Sequence, residues 1–162
     1  MRVSDVMTAD VLSVGEGTAL REVAGLLAKR GISGVPVCDT AGHMVGLVSE
    51  YDLIANPEAR TAAEVMTRDV ISVMEDTQLD DVRQLLMNRN IRRVPVLRGQ
   101  ALVGIVSRAD LVREIALTWV CVVCGDHERG AEPPANCPRC GAESDHRLSA
   151  TPPVGEGAEH PA

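Results

Sequence analysis

Aromatic side chains are almost missing from this chain of 162 residues: it has one Trp, one Tyr and no Phe. Its core must therefore be aliphatic. With 45% of residues apolar, mostly Val, Leu, Ala and Ile, there is enough material to build one. No run approaches the roughly 18 apolar residues that a membrane-spanning helix requires, so no membrane contact is expected. The opening "MRVSDVMTAD" lacks the apolar stretch of a secretory signal, and a cytoplasmic, reducing compartment is expected. Positive charge is also scarce. The formal net charge is -7, whereas a nucleic-acid binder is basic on at least one face, so no nucleic acid is expected as a partner. Cysteine is nearly absent from the first 117 residues, which hold only Cys38, expected as a small buried apolar residue at a strand end.

The remaining four cysteines stand together in "WVCVVCGDHERGAEPPANCPRCG", Trp119 to Gly141. Cys121 and Cys124 are separated by two residues, as are Cys137 and Cys140, and 12 residues lie between the pairs. Gly125 and Gly141 follow the second cysteine of each pair. In such a hook both sulfurs point at one centre, and the glycine permits the tight turn that aims backbone N–H groups at them. In a reducing compartment, clustered cysteines read as metal ligands rather than disulfides. Four thiolates in a tetrahedron suit zinc or a single iron. His127 and His146 lie close by in sequence but are not needed as ligands. Residues 118–162 hold three basic and seven acidic residues, which argues against a ribbon that grips nucleic acid.

The first 117 residues repeat themselves. "VMTADVLSV" (Val6–Val14) returns as "VMTRDVISV" (Val65–Val73), an offset of 59. The same offset relates Thr18 to Thr77, and "ISGVPV" to "IRRVPV". It falls to 58 between "VGLVSEYDL" and "VGIVSRADL". One residue has therefore been lost between the VPV and VG segments, where a hairpin turn would tolerate it; His43 lies in the first of these turns and is expected to be solvated. Each unit reads β-α-β-β-α. The expected elements are a strand (Val11–Val14 or Val70–Val73), a helix (Leu20–Arg30 or Leu79–Arg89), a hairpin, and a helix opening at Ser49 or Ser107 as N-cap. The helix core faces are Val23, Leu26 and Leu27, and Val82, Leu85 and Leu86. Units of under 60 residues bury little alone, so the two should pack as one domain.

The early VMT, the VPV strand and the hG(I/L)VSxxD ending, each present twice in register, resemble a tandem pair of cystathionine-beta-synthase (CBS) domains, a Bateman module. The fold class is α+β. Residues 1–57 would be the first repeat and 58–117 the second. The resemblance implies a regulator that binds an adenosine ligand (AMP, ADP or ATP type) in the clefts of the pair and associates as a homodimer. It implies that Asp52 and Asp110 hold ribose and that Thr18 and Thr77 contact sugar or phosphate. It places Arg92 and Arg93 where basic phosphate contacts are found. Arg108 directly follows Ser107, where Glu50 stands in the first repeat, and guanidinium suits phosphate. Ser49 and Ser107, with the helix N-termini they open, offer further donors. The plainer reading is that the serines and threonines only cap helices and that the aspartates only favour the first turn.

Residues 118–146 resemble the rubredoxin-like ribbon of rubrerythrins, with Trp119 two places before the first cysteine and Pro138 inside the second hook. Rubredoxin itself surrounds its metal with several aromatics, and here there is only Trp119, so zinc is favoured over iron. Residues 147–162 are rich in Pro, Gly and acid and read as a disordered tail. Three functions follow: a nucleotide sensor whose ribbon contacts a protein effector, an iron electron-transfer ribbon gated by the pair, or a scaffold with idle clefts. No enzyme is expected, because no nucleophile–base pair stands out and a closed site of four thiolates leaves no open metal position.

Overall fold

The computed structural model describes residues 1–143 and the short strand His146–Leu148. After an opening 3-10 turn, Val3–Asp5, the elements alternate as the repeat requires. The first repeat gives β1 (Val14–Gly15), α1 (Leu20–Arg30), β2 (Gly34–Cys38), β3 (Met44–Ser49) and α2 (Glu50–Ala55). A short helix, α3 (Ala62–Val65), precedes the second set. That set is β4 (Val73–Met74), α4 (Leu79–Asn88), β5 (Arg93–Arg98), β6 (Ala101–Ser107) and α5 (Arg108–Leu117). The ribbon supplies β7 (Thr118–Cys121), β8 (His127–Arg129) and β9 (His146–Leu148).

The expected hairpin is present: β2 and β3 pair antiparallel, with Val35 opposite Val48 and Val37 opposite Gly46. The ladder slips at Val37/Cys38, just before the turn in which Asp39 Oδ1 accepts the N–H groups of Ala41 and His43. His43 is half-exposed there and faces Asp39 across 3.5 Å. Cys38 is half-buried rather than buried, and burial pushes its thiol up. The leading strands are shorter than the expected Val11–Val14 and Val70–Val73. Only Val14–Gly15 and Val73–Met74 pair, each parallel to the VPV strand. Leu12 and Ile71 instead turn outward, at 37% and 41% exposure, so the stretches before the pairing are not held against a sheet.

The contacts divide the described chain into two compact units that cut across the repeats. One contains Met1–Met7, Asp76–Arg93 and the chain from Val106 onward; the other contains Thr8–Glu75 and Val94–Ile105. The expected boundary at residues 57 and 58 therefore falls inside a unit. The physical reason is a reciprocal exchange of opening segments. In the first unit Leu79 N–H donates to Met1 O (3.0 Å) and Val3 N–H to Thr77 O (2.9 Å). In the second, at positions 59 residues removed, Leu20 N–H donates to Arg60 O and Ala62 N–H to Thr18 O, both at 2.9 Å. The VMT threonines do the same: Thr8 exchanges two backbone bonds with Ile105, and Thr67 two with Leu47. Each opening segment thus bonds the helix start and the outer hairpin strand, β3 or β6, of the other repeat, leaving neither repeat complete alone.

The core of the second unit is aliphatic, as the composition requires. Val23, Leu27, Val35, Val37, Val48, Ala62 and Met66 form one buried cluster, with Leu26 packed at its margin. Each fully buried Val or Leu contributes about 1.5–3 kcal/mol. Gly46 is fixed by close approach: a Cβ there would lie 2.6 Å from Met66 Sδ and 2.9 Å from Thr67 O. In the first unit the buried side chains include Val3, Leu79, Val82, Leu86, Val106 and Leu111. In the ribbon, β7 is central, with β8 and β9 antiparallel on either side. Arg147 and Leu148 therefore belong to a strand, paired with Val120 and Trp119, and not to a tail; the rest of the expected tail lies outside the described residues.

Candidate functional site: two capped carboxylates and a four-cysteine centre

Ser49 and Ser107 are N-caps, as the plainer reading holds, and the aspartates complete two capping boxes. Asp52 Oδ2 accepts both the N–H and the hydroxyl of Ser49 at 2.7 Å, and Ser49 Oγ accepts Asp52 N–H at 3.4 Å. The second copy repeats this geometry: 2.7, 2.7 and 3.3 Å between Ser107 and Asp110. Reciprocal bonding of this kind locks both carboxylate rotamers at a helix start. The two sites then diverge. Asp110 is buried at 7% exposure and also accepts Arg113 Nη1 at 3.1 Å, whereas Asp52 is half-buried.

The nine expected ligand-binding residues are divided unequally. Thr18, Ser49 and Asp52 belong to one unit; Thr77, Arg92, Arg93, Ser107, Arg108 and Asp110 belong to the other. Every arginine of the set therefore shares a unit with Asp110. Arg108 N–H donates to Arg92 O at 3.1 Å, which brings those two side by side. The Arg108 guanidinium reaches the end of α4, where Nη2 donates to Leu86 O and to Asn90 Oδ1, both at 3.1 Å. It thereby adds a second donor to the Leu86 carbonyl, which also accepts Ile91 N–H at 3.2 Å near the helix end. Its Nε and that of Arg93 are buried without a hydrogen-bond partner among the described residues. The threonines do not cap: the N-caps of α1 and α4 are Ala19 and Gln78. Thr18 Oγ1 instead accepts Gly15 N–H at 3.1 Å.

The four cysteine sulfurs lie within 4.8 Å of one another. Cys121 and Cys140 are 3.7 Å apart, and Cys124 and Cys137 3.6 Å. A tetrahedron with metal–sulfur bonds of about 2.3 Å has edges of about 3.8 Å, so the donor set fits one tetrahedral ion. The hooks form as the glycines imply. Gly125 and Gly141 have φ of 75° and 73°, and each donates its N–H to the carbonyl of the first cysteine, Cys121 or Cys137. The N–H of Cys124, helped by that of Val123, bonds the Cys121 sulfur and brings its thiol down to about 7. The N–H of Cys140, with that of Arg139, likewise lowers Cys137. Asp126 N–H lowers Cys124, but burial and the neighbouring sulfurs outweigh it and push that thiol up to about 12. Cys140 is raised in the same way against the N–H of Ala142. Cys121 and Cys137 are buried, Cys124 half-buried and Cys140 exposed, so the centre opens toward solvent on one side. His127 is exposed in β8 and is not part of the donor set; the side chain of His146 lies outside the described residues.

The ribbon is tied to the end of α5 by contacts that the sequence did not suggest. Glu114, at 2% exposure, pairs through Oε2 with Arg129 Nη2 at 2.9 Å. Thr118 Oγ1 donates to Glu114 O, and Gly130 N–H to Leu117 O, each at 2.8 Å. Trp119 Nε1 donates to Gly130 O at 2.9 Å, so the lone Trp steadies the turn after β8.

Comparison with known proteins agrees with this architecture. The CBS domain family matches residues 3–58 and 62–117, and the rubrerythrin, rubredoxin-like domain family matches residues 119–146. Protein MJ1232 of Methanocaldococcus jannaschii is 32% identical over 119 residues, 72% of this chain; the chain spans only 40% of that relative's length. A 17.7 kDa protein of Acidianus ambivalens is 28% identical over 149 residues, 89% of this chain and 91% of its own. The L-aspartate semialdehyde sulfurtransferase of M. jannaschii is 31% identical over 68% of this chain, but that match spans 22% of the enzyme. Among solved structures, CBSX2 in complex with AMP has a TM-score of 0.65 and 30% identity, covering 69% of this chain and 93% of that one. The CBS domain pair of MJ0100, bound to 5'-methylthioadenosine and S-adenosyl-L-methionine, has a TM-score of 0.63 and 30% identity over 70% of this chain and 94% of that one. Hypoxic Response Protein I with two coordinated zinc ions has a TM-score of 0.62 and 27% identity over 70% of this chain and 98% of that one. The chain belongs to the CBS-domain family, as a tandem CBS pair followed by a rubredoxin-like domain with four metal-binding cysteines.

Proposed function

We propose that the protein is a nucleotide-sensing regulatory module: the CBS pair binds an adenosine nucleotide, and the metal ribbon presents that state to a protein effector. One observation carries the reading. Asp110, the candidate ribose acceptor, opens the helix whose last turn is bonded to the ribbon. A carboxylate can accept both hydroxyls of a ribose diol, and the idle, buried Nε–H groups of Arg93 and Arg108 favour an anionic group nearby. Asp52, with Ser49 and Thr18, would form a second and less basic site. The binding of AMP, 5'-methylthioadenosine and S-adenosyl-L-methionine by related CBS pairs supports the ligand class. Thermal unfolding with a panel of adenosine ligands tests it. A ligand at about 100 times its Kd adds about 2.7 kcal/mol.

The metal is proposed to be zinc in a structural role, held by Cys121, Cys124, Cys137 and Cys140. Bound there, it would complete the fold of a ribbon too small for a core of its own. The single aromatic and the solvent-open Cys140 side support zinc over a sheathed redox iron. Metal analysis and the absence of visible absorbance in protein from its own source test this; a red protein would favour the electron-transfer reading. No catalytic step is assigned to the chain.

A second copy is the proposed partner of the helix faces. In the first repeat, Ala24, Ala28, Gly31 and Ile54 border an open groove of about 560 Å³ with Glu50 at its rim. At the equivalent positions of the second repeat, Met87 replaces Ala28 and Val112 replaces Ile54, exposed at 62% and 64%, with Arg83 and Arg113 beside them. A hole in one repeat and an exposed apolar knob in the other favour head-to-tail association. Ala28→Arg should then convert a dimer to a monomer in sedimentation; a dimer that survives the change would refute this orientation.

A further inference from the structure

Glu114 belongs to no expected site, yet it is among the most buried charged side chains described. Only one of its oxygens is satisfied. Oε2 meets Arg129 at 2.9 Å, while Oε1 is buried without a partner among the described residues. Burying a carboxylate half-paired is unfavourable unless the pairing cation stays in place. That cation comes from the ribbon: Arg129 ends β8, directly opposite Thr118 of β7. Thr118 in turn bonds the carbonyl of Glu114 through its hydroxyl. The carboxylate, the carbonyl of Glu114 and the carbonyl of Leu117 therefore hold three points of the ribbon over the last turn of α5.

Asp110 and Glu114 stand four residues apart and are both buried, on one face of that helix. About 6 Å of helix rise separates them. No loop intervenes between α5 and β7, since Leu117 is followed directly by Thr118. A change in how Asp110 is held must pass through a rigid turn to Glu114. There an idle oxygen allows a second arrangement of the pair.

We infer that Glu114 is a positioning residue that couples the nucleotide site to the metal ribbon, with its ion pair to Arg129 as the element whose geometry responds. This inference rests on the proposed nucleotide binding at Asp110. It assigns the regulation of that same site, and predicts that ligand occupancy changes how fast the four-cysteine centre releases its metal. Where the change in release is a change in equilibrium metal affinity, metal loading changes nucleotide affinity by the same factor.

The test uses the full, zinc-loaded chain, with ATP and AMP as probes. Calorimetry measures nucleotide binding, and a chromophoric chelator measures zinc release with and without nucleotide. In the unsubstituted protein, nucleotide should change the release rate measurably, and the zinc affinity read from chelator competition by about fivefold or more, the lower end of typical allosteric coupling. Arg129→Gln changes a residue 54% exposed, removes the cation and keeps a side-chain amide that can donate to the buried Glu114 carboxylate. It should still bind nucleotide, while the ratio of release rates falls to near one. Glu114→Gln should do the same, and Arg129→Lys should restore part of the response. A ratio that persists in both Gln variants overturns the coupling role. Nucleotide that binds the unsubstituted protein without altering zinc release overturns it too, and leaves the sensor reading standing. No nucleotide binding at all removes the sensor reading and the coupling with it.

Discussion

Gly125 and Gly141 allow a clean test of the metal hooks. Both sit in the left-handed region, at φ of 75° and 73°, and a Cβ built on either meets no atom within 4 Å. Replacing either by Ala therefore adds no clash, and only the backbone penalty remains. For an L-residue that penalty is about 1–2 kcal/mol. Ribbon folding and metal binding are one equilibrium in a domain this small, so strain in the folded hook is lost from metal affinity. Since 1.4 kcal/mol is tenfold, each of Gly125→Ala and Gly141→Ala should weaken zinc binding by about 5–30-fold. The two hooks share their geometry, so the two losses should be similar, and the double variant should approach their product. Competition against a chelator of known affinity reads all three. Unchanged affinity in either single variant would refute the reasoning. So would a loss beyond about a thousandfold, because backbone strain of this size cannot produce it.

Gly46→Ala should destabilise the chain by about 1–3 kcal/mol through overpacking against Met66 and the fixed carbonyl of Thr67. Gly17→Ala, where a Cβ meets nothing, is the control and should stay within about 0.5 kcal/mol in denaturant titration. Ser107→Ala should lose about 1 kcal/mol of stability with the N-cap. Asp110→Asn should weaken nucleotide binding by more than its effect on stability explains, as read by calorimetry at a temperature where both proteins are folded. The lowered thiols of Cys121 and Cys137 and the raised thiols of Cys124 and Cys140 all must deprotonate to hold metal. Metal affinity should therefore rise with pH, most steeply below about 7, where even Cys121 carries its proton. A flat profile from pH 6 to 8 would contradict this.

Much of the architecture was legible because the chain states it twice. The offsets of 59 and 58 for the VPV and VG segments place both hairpins, and the connection between the two strands is shorter in the second repeat, 99–100 against 39–43. Ser49 and Ser107 are legible as N-caps from side-chain type and position, while the reciprocal bond from each Asp that completes a capping box is seen only in the structure. The cysteine hooks were legible from side-chain type and spacing. What the sequence hid is carried by backbone groups or by burial. The exchange of Met1–Val3 and Arg60–Ala62 between helix starts runs through N–H and C=O groups that every residue has. Glu114 reads as an ordinary helix charge, and only the fold places Arg129 over it. Arg108 reads as a free phosphate ligand, while its guanidinium is partly engaged by the end of α4. β9 is not legible in the sequence because its three residues gain their strand identity only by pairing with β7.

The central claim is that adenosine nucleotides bind the CBS pair. Thermal unfolding of the zinc-loaded full chain against AMP, ADP, ATP and S-adenosylmethionine tests it most directly. The account predicts a saturable rise in Tm for at least one of them, approaching the stabilisation of about 2.7 kcal/mol at 100 times Kd, and reduced in Asp110→Asn. No rise with any ligand at millimolar concentration would contradict it and leave the pair as a scaffold.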